Sequence, residues 1–277
     1  MSDFKLPRPE RFGLIAGEGD YPVILAREAI KSGSEVIGIG FEGITFPELA
    51  DIIPNFIWVP FGKIEPIIRG FVDNQINQAI FSGRIKQSVI FESKNFDPII
   101  TNTLEKLPNQ QADSLIGAAA NAFGVFGVSF LDARTFMDEH LAVLGNMSGI
   151  NPDEKQLRDI EYGYQIAKHI AAEDIGQSVL VKNRAVLAVE AIEGTDKAIE
   201  RALEYAQDGI TLVKVAKPNQ DYRYDIPVVG KGTIKKFKSI NRGVIAVEAR
   251  NTLMLNRDDV AAMARDFGIC LVGVEPK

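Results

Sequence analysis

Residues 12–41, FGLIAGEGDYPVILAREAIKSGSEVIGIGF, decide the fold class. Phe12 to Ala16 is a short apolar run that ends in Gly17-Glu18-Gly19. A helical stretch from about Tyr21 to Ser32 follows, and then a second apolar run, Glu35 to Phe41. Strand, glycine turn, helix and strand make a βαβ unit, the building block of a parallel sheet. Outward from it, the runs Asn55–Val59 and Gln78–Phe81 flank a helical segment from about Lys63 to Asn74. The alternation predicts a doubly wound, Rossmann-like sheet. Phe91–Pro108 reads as loop-rich, Gln111–Phe123 as a helix and Val125–Leu131 as one more strand.

Leu141–Pro152, with Gly145, Gly149 and Asn151-Pro152, predicts a linker. Asp153–Glu173 carries apolar residues at helical spacing and predicts a helix joining two domains. The second half has a different grammar. Ser178–Val181 and Ala185–Ala191 around Lys182-Asn183-Arg184 predict a hairpin, and Thr195–Gln207 a helix that Thr195 can cap. Strands are expected at Ile210–Ala216, Val244–Glu248, Thr252–Leu255 and Ile269–Val274, with helices at Thr233–Ser239 and Asp258–Phe267. The expectation is an α/β chain: a Rossmann-like parallel-sheet domain over residues 1–150 and a mixed α/β catalytic domain over 151–277, with 151–175 as the linking helix.

The chain has 277 residues, 46% hydrophobic and 25% charged, an ordinary soluble globular composition. A net charge of −6 argues against a general nucleic-acid binder, so no nucleic-acid partner is expected. The one cysteine, Cys270, lies in an apolar strand, reads as a core residue and cannot form an internal disulfide. With no apolar run long enough for a signal peptide or a bilayer span, a reducing, cytoplasmic location is expected. Two histidines, His140 and His169, exclude a His-rich dimetal centre and read as surface or interdomain residues.

Three kinds of stretch can carry chemistry. Gly17 and Gly19 sit between a strand and a helix, where amides and the helix dipole favour an anion. As a dinucleotide fingerprint the turn is imperfect, because Pro22 stands where glycine or alanine belongs. A nicotinamide or flavin site, another ligand, or a purely structural turn all remain open. Phe61-Gly62-Lys63 and Ser82-Gly83-Arg84 pair a flexible backbone with a cation at later strand ends, as a phosphate or sugar ligand would need. The densest constellation runs from Lys214 through Lys217, Gln220, Asp221, Arg223 and Asp225 to Gly230. Ile210–Ile240 holds seven Lys and Arg against two Asp, a local +5, which reads either as an anion site or as charges that pair at the surface. Asp221 and Asp225, four apart, can bind Mg²⁺ or orient a water. Glu193 and Asp196 add carboxylates and Thr195 a hydroxyl at a helix start.

Leu14–Gly19, Phe61-Gly62-Lys63, Val189–Asp196 and Lys214–Gly230 together resemble the UDP-2,3-diacylglucosamine pyrophosphatases of the LpxI type, over nearly the whole chain. The resemblance implies a Mg²⁺-dependent hydrolase of lipid A biosynthesis that cleaves UDP-2,3-diacylglucosamine to UMP and 2,3-diacylglucosamine 1-phosphate. It also implies a homodimer, a substrate held between the two domains, and transient contact with the inner membrane surface. It makes Asp225 the catalytic carboxylate and Asp221 a metal-binding or supporting one. Lys217 joins them as a candidate catalytic cation. Gly17, Gly19, Gly62, Lys63, Gly83, Arg84, Thr195, Lys214, Gln220 and Arg223 are candidate substrate contacts, and Asp225, Glu193 and Asp196 candidate metal ligands. The alternatives are a nicotinamide-dependent oxidoreductase and a non-catalytic nucleotide-sugar-binding protein.

Overall fold

A computed structural model describes residues 5–86, 89, 96–97, 101, 120 and 123–276. The helix expected at Gln111–Phe123 and the loop-rich Phe91–Pro108 lie almost wholly outside the described residues. The chain forms two compact units, Met1–Met137 with Asp221–Asp225, and Asp138–Gln220 with Ile226–Lys277. The division therefore falls at Met137 rather than at residue 150, and a short segment of the C-terminal half belongs to the first unit.

The first unit contains β1 (Arg11–Ala16), α1 (Asp20–Lys31), β2 (Glu35–Phe41), α2 (Glu48–Ile52), β3 (Asn55–Val59), α3 (Glu65–Asp73), β4 (Gln78–Ser82) and β5 (Ser129–Phe130). The strands are all parallel, in the order β3-β2-β1-β4-β5. The Rossmann-like sheet expected from residues 12–41 is present. Its strand order reverses between β1 and β4, so their carboxyl ends, Ala16 and Ser82, mark the topological switch point where such sheets bind ligands. Helix α1 forms because Tyr21, Leu25, Ala26 and Ala29 recur on one buried face, and Pro22 lies in the first turn, where a missing amide is harmless. Ile15, Ile37, Ile39, Ala79 and Phe81 pack with Ile67, Ile68 and Phe71 of α3.

The second unit contains β6 (Gly145–Asn146), α4 (Glu154–Ala172), β7 (Ser178–Lys182), β8 (Ala185–Val189), α5 (Thr195–Leu203), β9 (Thr211–Lys214), α6 (Lys231–Phe237), β10 (Val244–Glu248), α7 (Arg257–Asp266) and β11 (Cys270–Val274). The sheet order is β6-β11-β10-β9-β7-β8, with β9, β10 and β11 parallel and the other pairings antiparallel. Period-two alternation sorts the two faces. Val179, Val181, Val213 and Ala246 pack under Ile160, Tyr164 and Ala167 of α4, while Leu180, Leu212, Ile245 and Val247 pack with Ala198, Ile199, Ile234 and Val260.

Several expectations change here. The linker read at Leu141–Pro152 is bound into the second sheet: Gly145–Asn146 pairs with β11, and Ala142 exchanges hydrogen bonds with Thr252 and Arg250. A Cβ on Gly273 would lie 1.9 Å from the Val143 carbonyl oxygen, so this close approach requires glycine. Helix α4 is not a joining segment; Asp153 caps it reciprocally with Gln156, and it lies on β7 and β9 of the second unit. Residues 252–255 form isolated bridges instead of a strand, Leu253 pairing with Leu141 and Val228. His140 is buried and accepts the Asn256 amide at 2.9 Å. Cys270 is buried in β11, which pushes its thiol up to about 11. No helix among the described residues is long and apolar enough to cross a membrane.

Candidate active site

Folding dissolves most of the basic island read between Ile210 and Ile240. Five of its seven cations face carboxylates: Lys214 with Glu190 (3.6 Å), Lys217 with Asp174 (2.6 Å), Arg223 with Asp221 (2.6 Å), Lys231 with Asp259 (2.7 Å) and Lys236 with Glu200 (2.6 Å). Four of those acids come from elsewhere in the chain. Within the fold these five charges are paired.

Lys214, the last residue of β9, is buried. Its Nζ donates to Ser178 Oγ (3.2 Å) and Thr195 Oγ1 (3.0 Å) beside the Glu190 carboxylate. Thr195 in turn donates to Glu190 Oε1 at 2.6 Å. Burial pushes the Glu190 carboxyl up, but the Lys214 ammonium, the Ser178 and Thr195 hydroxyls and the Gln177 amide outweigh it, and the group lies below its ordinary value. The expected cap at Thr195 is not made, since Gly194 is the N-cap of α5 and the hydroxyl proton is committed to Glu190. Glu190 and Ser178 carry no expectation from sequence. A carboxylate directly following an apolar strand was the available signal.

At the end of β10, the fully buried Glu248 carboxylate accepts from Tyr164 (2.5 Å), Lys168 (2.7 Å) and the Ala216 amide (3.0 Å). It fixes the strand end from which Lys217 departs. Gln220 Oε1 takes the Lys217 amide at 2.8 Å and closes the following turn.

Asp221–Asp225 is a single helical turn in the first unit: the Tyr224 and Asp225 amides both donate to the Asp221 carbonyl (3.1 and 3.2 Å). Residues four apart on such a turn lie on one side, so Asp221 and Asp225 are neighbours along it. Arg223 grips Asp221 with Nε (2.9 Å) and Nη2 (2.6 Å), and these hydrogen bonds hold the Asp221 carboxyl below its usual range. Tyr222 accepts the Ala133 amide on its carbonyl (2.8 Å) and lies 3.5 Å under the Arg134 guanidinium. Tyr224 packs on Phe130, with ring centroids 6.0 Å apart. The structure thus brings Asp221, Arg223 and half-buried Asp225 together on one turn.

The glycine turns do partly structural work. The Gly17 amide donates to the Ser82 carbonyl (2.8 Å), and Glu18 and Arg84 exchange backbone hydrogen bonds (2.9 and 3.0 Å), which ties the β1 and β4 loops across the switch point. A Cβ on Gly17 would lie 2.8 Å from the Arg84 carbonyl oxygen. Glu18 also pairs with Arg84 (3.6 Å) and Lys86 (2.8 Å). Gly19 is the N-cap of α1, with no side-chain cap on that helix end. At Gly62-Lys63 the neighbouring helix end already holds an internal anion, because Asp97 Oδ2 accepts the Ile64 amide (2.7 Å) and the Glu65 amide (3.3 Å).

Among the described residues no three His, Cys, Asp or Glu side chains are grouped so as to hold a metal ion. Glu193 pairs with Arg201, and Asp196 is exposed in the first turn of α5. Mg²⁺ does not require a cage made only of protein, since it is commonly held by one or two carboxylates together with substrate phosphates. A half-buried Asp225 beside the Arg223-bound Asp221 fits that donor set.

Two family models match the chain, the LpxI N-terminal domain over residues 11–140 and the LpxI C-terminal domain over residues 144–272. UDP-2,3-diacylglucosamine pyrophosphatase LpxI of Caulobacter vibrioides is 28% identical over 284 aligned positions, covering 96% of this chain and 98% of that protein. Among solved structures, leucoanthocyanidin reductase of Vitis vinifera with NADPH matches at 12% identity and a TM-score of 0.31, covering 96% of this chain and 78% of that one. WbmH of Bordetella bronchiseptica with NAD⁺ matches at 12% identity and a TM-score of 0.28, covering 95% and 85%. Those structural likenesses are too low to carry an argument about either fold or activity. The two domain models run almost end to end and the turn Asp221–Asp225 falls inside the second, so the chain belongs to the LpxI family.

Proposed function

We propose that this protein hydrolyses the diphosphate of UDP-2,3-diacylglucosamine to UMP and 2,3-diacylglucosamine 1-phosphate, a step of lipid A biosynthesis, with Mg²⁺ as cofactor. The observation that carries the reading is the turn Asp221–Asp225, two carboxylates and an arginine on one helical turn within the span of the LpxI C-terminal model. The activity printed in the Caulobacter relative's name supports it.

Hydrolysis adds water to one phosphorus and breaks that atom's bond to the bridging oxygen, which leaves with the other phosphate. Asp225 accepts the proton that the water gives up as it attacks. Asp221, held by Arg223, supports the turn on which Asp225 takes the base role. Bound Mg²⁺ would be held by Asp225 and the diphosphate oxygens and would neutralise charge on the non-bridging oxygens. Lys217 and Gln220, just upstream in the chain, are further side chains assigned to the substrate. The reading extends to a homodimer on the cytoplasmic side of the inner membrane. The exposed Val125 and Phe126 provide apolar surface in support of transient membrane contact.

The test is to incubate the purified protein with UDP-2,3-diacylglucosamine and Mg²⁺. UMP and the acylated sugar phosphate are expected in equal amounts, release stopping on chelation and resuming with added Mg²⁺. Tight binding without UMP release would make this a nucleotide-sugar-binding protein instead. Stoichiometric NAD(P) bound to the purified protein would favour the oxidoreductase alternative.

A further inference from the structure

Among the described residues of the first unit Arg134 is a buried charged side chain, and the hydrolysis proposed above gives it no role. Asp132 holds it through Nε (3.0 Å) and Nη2 (2.6 Å), and its guanidinium lies flat enough over Tyr222 to place the central carbon 3.5 Å from the ring centroid. A desolvated guanidinium on an aromatic face is a stronger contact than an exposed one. The backbone of the same turn holds the same neighbour. The Ala133 amide donates to the Tyr222 carbonyl (2.8 Å), while the Ala133 carbonyl accepts the Tyr21 hydroxyl from the first turn of α1. Asp132, Ala133 and Arg134 therefore grip Tyr222 by peptide and by side chain.

Asp225 follows Tyr222 by three residues on one hydrogen-bonded turn, so the direction of its carboxylate is set by how that turn is held. Burying a guanidinium is an expensive way to fill space, and packing alone is met as well by apolar side chains. What a planar guanidinium fixed at two points adds is orientation. We infer that Arg134 is a positioning residue for Asp225, acting through Tyr222; the inference rests on the proposed hydrolysis. Misplacement of a reacting group by about 1 Å costs on the order of a hundredfold in rate.

Arg134→Ala is expected to lower kcat for UMP release by about tenfold to a hundredfold, with the Kd for UDP-2,3-diacylglucosamine within about threefold of wild type. Tyr222→Leu keeps bulk but removes the aromatic face and should lose kcat in the same way, while Tyr222→Phe restores most of it. Hydrogen exchange of the 221–225 peptide provides a readout without substrate. It should quicken in Arg134→Ala and Tyr222→Leu, with the β10 peptide of the second unit unchanged. Unchanged exchange, or faster exchange with wild-type kcat in both variants, would overturn the positioning role. A wild-type protein that releases no UMP would overturn the hydrolase reading instead, and exchange alone would then decide whether the grip exists. Should Arg134→Ala fail to fold, the Leu and Phe substitutions at Tyr222 make the comparison.

Discussion

Lys214 and Glu190 give a pair whose removal can be worked out from the structure. Their side chains are 9% and 12% exposed, and they share two hydroxyls, Ser178 and Thr195. Breaking a buried pair by removing one partner costs about 3–5 kcal/mol, because a charge is left behind. Lys214→Met and Glu190→Gln should each destabilise the second unit by that amount. Lys214→Met/Glu190→Gln should cost less than the two single changes together by about 2 kcal/mol, since no orphan charge remains. Urea denaturation followed by circular dichroism measures the loss. The single tryptophan, Trp58, lies in β3, so its fluorescence reports the first unit and should hardly move. The sign with pH is defined. In the wild type the Glu190 carboxyl lies below its ordinary 4.5, so its contribution is complete above that value and is lost as pH falls through the lower folded one. Lys214→Met removes the largest lowering influence, leaving burial, which acts upward, against the Ser178, Thr195 and Gln177 hydrogen bonds. The carboxyl then lies higher than in the wild type, and the penalty of the variant should shrink as pH falls through the acid range in which the Glu190 carboxyl titrates. A loss below about 1 kcal/mol, or one that does not change with pH, would refute this reasoning.

Two further outcomes concern the turns at the first unit's strand ends. Gly17→Ala would press a Cβ against the Arg84 backbone and should destabilise the first unit by about 1–3 kcal/mol, read as an earlier Trp58 transition. Asp97→Ala removes the acceptor at the start of α3; a loss of about 1 kcal/mol is expected, with faster hydrogen exchange at Ile64 and Glu65.

Much of the fold is legible because periodicity is local. Residues 12–41 give β1, α1 and β2 within a residue or two, and the Asn183-Arg184 hairpin appears as read, with both residues at positive φ and both amides taken by buried Asp159. Gly145–Asn146 is legible only as loop chemistry, because two residues give no period and their strand exists through pairing with β11. At the site, the clustering of Asp221, Arg223 and Asp225 follows from spacing along one turn. What spacing cannot supply is pairing across the chain. The local +5 stood out because its neutralising acids, Asp174, Glu190, Glu200 and Asp259, are contributed by other elements. Arg134 gives no sequence signal, since Asp132-Ala-Arg acquires meaning only when Tyr222 is set beneath it.

In the proposed hydrolysis Asp225 is the carboxylate that takes the proton of the attacking water. Asp225→Asn keeps the shape and removes the base, so UMP release from UDP-2,3-diacylglucosamine in Mg²⁺ should fall by at least about a hundredfold while the variant still binds the intact lipid nucleotide. Release of UMP at the wild-type rate by folded Asp225→Asn would contradict it.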